Sequence, residues 1–154
     1  MNALTIEVAE SQLKALAEQL IQKLRTQHAP VLYRYPAADI QLLPGEHYAG
    51  PVLDADGKIT HHLVQMAATS SSKLDWQAAM DWAASVGGAL PTSQEQALLF
   101  ANCKPHLQPV WHWSSEQHED DASYAWLCTF TNGFQFHDLK SAAGSAVAVR
   151  RVAA

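Results

Sequence analysis

An α+β fold is predicted from three features of this 154-residue chain. Apolar residues recur at spacings of three and four near its start. Two capped helical segments lie in its middle. Short aromatic and β-branched stretches, punctuated by turn signals, flank those helices on both sides. With 48% hydrophobic residues, five Trp, four Tyr and four Phe, the chain has the material for one packed core.

Residues 5–27 read as an amphipathic helix. Ala9, Leu13, Leu16, Leu20 and Leu24 form its apolar stripe, widened by Ala17 and Ile21, while Gln12, Glu18, Gln22 and Arg25 line the other face. The expected organisation is an N-terminal helix over 1–28, a proline-containing linker over 29–44 and a compact domain over 45–154. Pro30, Pro36 and Pro44 interrupt any helix in the linker, and residues 31–35 read as a short extended segment. The stripe needs a cover. A homo-oligomer seam through Leu13, Leu16, Leu20 and Leu24 is one expectation, and packing on its own domain the other.

Within the domain, 47–53 and 59–66 read as strands around a turn at 54–57, and 67–72 as a loop. Asp75 caps a helix over 76–86 that ends at Gly87 and Gly88. Pro91 pushes Leu90 towards extended backbone, and Thr92 with Glu95 three residues on has the spacing of a capping box. Strands are expected at 110–115, 124–130 and 145–152. The Asn132–Gly133 turn leads into a fourth candidate at 134–137.

Composition excludes several function classes. A net charge of −5 with no basic run argues against nucleic acid as a partner. No apolar stretch is long enough for a membrane helix, so no membrane partner is expected. Residues 1–7 lack the basic, then apolar, pattern of a secretory signal, so the expected location is cytoplasmic. Cys103 and Cys128 show no metal-ligand spacing and are expected as buried free thiols.

His61 and His62 project to opposite faces of a strand, so they do not chelate one ion. His106, His112, His118 and His137, with Glu116, Glu119, Asp120 and Asp121, lack any metal-ligand spacing, and no metal or other cofactor is expected. Ser114 and Ser115 lie beside histidines but outside any nucleophile-elbow motif, so no catalytic residue is expected. Alternation in 124–130 places Trp126, Cys128 and Phe130 on a core face and Leu127 and Thr129 on the other. With Phe134, Phe136, His137 and Asp138 across the turn, that second face is a candidate platform; the alternative packs the two Phe inward. The loop residues Glu116, His118 and Asp120, with Tyr124, complete the candidate binding set, whose expected ligand is a protein or glycan.

Four elements carry a resemblance over about residues 45–152: Leu90-Pro91-Thr92 with Glu95, Trp113-Ser114-Ser115, Ala125-Trp126, and the closing Val149-Arg150-Arg151. Together they resemble the C-type-lectin-like domains of the DUF1566 family, found in bacteria and their phages. The pattern is similar to that of retroelement-encoded variable proteins and of formylglycine-generating-type enzymes. The resemblance implies a non-catalytic binding module of a phage or prophage protein, and leaves a place in the virion open. Its alternatives are an intracellular phage inhibitor of a host defence or regulatory protein, and an enzyme of unknown type on a formylglycine-generating-like fold. The calcium-site motifs of sugar-binding lectins and the reactive cysteine pair of the formylglycine-generating enzymes are not present, so neither activity is carried over.

Overall fold

A computed structural model describes residues 3–27 and 37–154. They fall into two units, one containing helix α1 (Ala3–Gln27) and the other running from Ala37 to Ala154. The expected extended segment at 31–35 lies outside the described residues. In α1, Leu13, Leu16, Leu20 and Leu24 are all exposed. Among the described residues no helix is long and apolar enough to cross a membrane.

The larger unit is α+β. Its elements run β1 (His47–Leu53), β2 (Ile59–Thr69), α2 (Trp76–Ser85), α3 (Ser93–Cys103), a 3-10 turn, β3 (Trp111–Gln117), β4 (Tyr124–Thr129), β5 (Gln135–Leu139) and β6 (Val147–Ala153). They build two antiparallel sheets, ordered β1-β2-β6 and β3-β4-β5. The β1–β2 turn is held by Asp54, whose Oδ1 accepts the N–H groups of Asp56 and Lys58, each at 2.9 Å. Strand β2 runs on through Ala67–Thr69, where a loop is expected from the small and polar composition. Thr69 pairs with Val147 beyond an irregularity in the ladder, so cross-strand pairing overrides the local propensity.

Both helices start on side-chain caps. Asp75 accepts from Ala78 N–H at 2.8 Å, and Thr92 with Glu95 forms a full capping box. Buried Leu63, Val149, Leu99, Cys103, Cys128 and Phe130 belong to one core cluster, and Ala79, Ala83, Leu90, Trp113, Leu127 and Ala148 to another. The segment before β6 ties the sheets together. Trp113 N–H donates to Ser145 O at 3.0 Å, and Gly144 lies so close to the Trp113 indole that a Cβ would sit 2.7 Å from its Nε1.

Glu95 does more than cap. It is buried, and Arg151 grips it with two bonds, Nε to Oε1 at 2.6 Å and Nη2 to Oε2 at 2.7 Å. His61 Nε2 lies 2.7 Å from Oε1, and Thr92 N–H donates to Oε2 at 2.8 Å. Burial opposes the charge on Glu95, but the guanidinium, with the Thr92 N–H and His61, outweighs it and holds the carboxyl below the usual range. Two motifs far apart in sequence thus meet in one interaction that locks β2, α3 and β6. The neighbouring Arg150 repeats the device on Glu46, at 2.8 and 2.7 Å.

Candidate binding surface

The register of β3-β4-β5 sorts its side chains by face. Trp111 opposes Thr129, Trp113 opposes Leu127, Leu127 opposes Phe136, and Ala125 opposes Asp138, so these share one face. His112, Cys128 and Gln135 line the other, followed by Trp126 opposite His137 and Tyr124 opposite Leu139. Strand β5 forms an edge.

The turn after β4 projects the first exposed ring. Gly133 holds φ +79, and a Cβ there would meet the Phe100 ring at 2.8 Å. Asn132 Oδ1 accepts Phe134 N–H at 3.1 Å, and Thr129 N–H donates to Phe134 O at 3.0 Å. Phe134 is left 57% exposed, Phe136 47% and Trp111 40%, which makes them a cluster at the surface. The Trp111 ring lies 6.2 Å from each Phe ring, and the two Phe rings are 6.5 Å apart.

Beside this cluster lies a cavity of about 190 Å³. Trp111, Phe136, Leu127 and Trp113 line it with two small alanines, Ala142 and Ala143, and Asp138 is its one charged lining residue. The Trp113 indole N–H is already committed to Leu74 O at 2.9 Å. Asp138 Oδ1 accepts Leu139 N–H at 2.8 Å, and among the described residues Asp138 forms no salt bridge. A larger hollow of about 360 Å³ between β1 and α3 is lined by Val52, Leu98 and other uncharged residues, so no charged group there would orient a ligand.

The expected platform is therefore corrected in part. Phe134, Phe136 and Asp138 are exposed, but Leu127 and Thr129 are buried. The central strand β4 is covered on both faces: Leu127 packs with Trp113 and Ala142, and Cys128 and Phe130 sit in the other cluster. Trp126, expected in the core, is only half-buried. His137 projects from the face opposite Phe136, although the two rings lie parallel at 5.1 Å at the edge of β5.

On that opposite side His137 joins His118, Tyr124 and Trp126. The His118 ring is 4.4 Å from His137 and 5.4 Å from Trp126, and Tyr124 is 5.5 Å from His137. Among the described residues His137 Nδ1 is buried without a hydrogen-bond partner. Glu116 is exposed, and its Oε2 accepts Ser93 N–H at 2.6 Å, which ties it to the start of α3. Asp120 is exposed in the loop, its N–H donating to His118 Nδ1 at 3.3 Å. The surface residue missed by the sequence reading is Trp111. Its signal was alternation with Trp113, which marks one face, and a place at the strand start opposite the turn.

Among the described residues no group of three or more His, Cys, Asp or Glu could hold a metal ion. His61 and His62 serve separate partners, Glu95 and the Tyr48 hydroxyl at 2.8 Å. Burial pushes the His112 imidazole below its ordinary range, against a hydrogen bond to Val110 O. Burial also pushes the Cys103 thiol up, and the Cys128 thiol up to about 11. No family model and no curated protein matches the chain.

Proposed function

We propose that the larger unit is a C-type-lectin-like recognition module of a phage or prophage protein, non-catalytic, whose ligand is a protein or glycan. The observation that carries this reading is the exposed Trp111, Phe134 and Phe136 cluster beside a lined cavity. Aromatic side chains exposed together on a rigid sheet are the usual anchors of recognition surfaces. The fold reading draws support from the closing strand β6, which pairs with the opening hairpin, and from the two helices between the sheets in sequence. The test is a Phe134→Ala, Phe136→Ala double variant. Capture from a bacterial lysate, and binding to a glycan array, should both be compared with the parent chain. Loss of every ligand at unchanged melting temperature is the expected result. Equal binding by the double variant would remove this surface from the reading.

For α1 the reading supplies a second copy of the chain as partner. A 25-residue helix is about 37 Å long, and the leucines of its stripe fall three, four and four residues apart, which keeps them on one face. Light scattering should report an oligomer for the full chain, and a monomer after deletion of residues 1–28. A monomeric full chain at micromolar concentration overturns that arrangement.

A further inference from the structure

The geometry points to a cationic side chain as the occupant of the Trp111–Asp138 cavity: an arginine or lysine presented by a partner protein. This rests on the recognition reading and narrows it to one chemistry. At about 190 Å³ the cavity is smaller than the roughly 300–1,000 Å³ of small-molecule sites, and suits one side chain. Three aromatic residues, Trp111, Trp113 and Phe136, line it with Leu127, two alanines and one acidic residue, Asp138. Aromatic rings attract cations through their quadrupole, and a carboxylate accepts hydrogen bonds from a guanidinium or ammonium. An apolar occupant would leave the Asp138 charge covered and unpaired, which is unfavourable.

Among the described residues the nearest lysine in sequence is engaged elsewhere. Lys140, two residues along from Asp138, donates to Gln117 Oε1 at 2.6 Å and lies 4.2 Å from the Trp76 ring centre. Lys104 is likewise held over Phe100 at 4.6 Å. These two lysines thus rest over rings, while among the described residues no cation pairs with Asp138 in the cavity. The net charge of −5 adds a long-range attraction for a basic partner.

The experiment titrates the full chain with a blocked glycyl-arginyl-glycine peptide. The same peptide with citrulline is the uncharged isostere. The readout is the Trp111 indole N–H resonance, assigned with Trp111→Phe. The arginine peptide should move it saturably, in the millimolar range expected of a single side chain. The citrulline peptide should bind about tenfold more weakly, the scale of a lost charge-assisted contact. Asp138→Asn should weaken arginine binding by a similar factor while leaving the melting temperature unchanged. Phe136→Leu, which keeps apolar bulk but removes a ring face, should weaken it too. Equal response to citrulline, indifference to Asp138→Asn, or no response to either peptide overturns the cation site. A lysate or glycan ligand lost in the double Phe variant but kept in Asp138→Asn would leave the recognition reading standing without it.

Discussion

Two carboxylates, Glu95 and Asp138, sit in regions built from similar parts and end in opposite states. Around Glu95 both oxygens are taken, by a bidentate Arg151, by His61 and by the Thr92 N–H. Around Asp138 there are rings and small residues, one backbone N–H on Oδ1 and, among the described residues, no salt bridge. The fully satisfied site has nothing left to offer a ligand and serves the fold. The open one keeps most of its bonding capacity unused among the described residues. On the proposed reading, bonding capacity left over at a lined surface marks a recognition site better than residue type does.

The contrast is sharpest in stability. Glu95→Ala removes the shared partner of Arg151 and His61, and the expected loss is about 3 kcal/mol. That is the lower end of the range for breaking a buried pair, because Arg151 keeps 35% exposure and can hydrate. Thermal melts should fall by on the order of 10 °C. Asp138→Asn should leave the melt where it was. A large fall for Asp138→Asn, or none for Glu95→Ala, would reverse the assignment of roles.

Acid titration probes the satisfied side of that comparison. His112 is buried with its imidazole held below the ordinary 6.5, so below that pH the unfolded chain takes up a proton that the folded one refuses. Stability should therefore begin to fall as pH drops through 6.5. Glu95 and Glu46 have folded values below the ordinary 4.5, so their contribution is present above that pH and is lost as pH falls further. Melting curves against pH should show both steps, and His112→Gln should remove the first while keeping the second. A flat profile from pH 7 to 5 would contradict the buried neutral imidazole.

Thr92→Ala is the smallest of these effects. It removes one half of the capping box and should cost about 1 kcal/mol. An unchanged melt would mean that Glu95, held by its other partners, orders the start of α3 unaided.

What was legible in the sequence follows the reach of each interaction. The Asp75 and Thr92 caps were readable because donor and acceptor lie three residues apart. The turn at Asn132 and Gly133 was readable for the same reason. The Arg151–Glu95 grip spans 56 positions, so the two motifs could be seen without the bond between them. Alternation sorted β4 into faces, but it could not tell which face would be covered. Leu127 is covered because Trp113 and Ala142 pack on it, and neither contact is written in 124–130. Within its own strand Trp111 carries no signal of exposure. Only the register, setting it beside Thr129 and across from the Phe rings, brings it to the surface.

The two thiols have a practical consequence. Cys103 and Cys128 are both free, both wholly buried, and belong to the same cluster with Leu99 and Phe130. Alkylating reagents need an accessible thiolate, and burial denies access and, with the Cys128 thiol at about 11, also suppresses ionisation near neutrality. Neither sulfur can be labelled until that cluster opens. The rate of labelling in native buffer then becomes a clock for whole-domain opening, with two hands on one cooperative unit. A cysteine placed on the exposed Phe134 turn would react at once against that silent background.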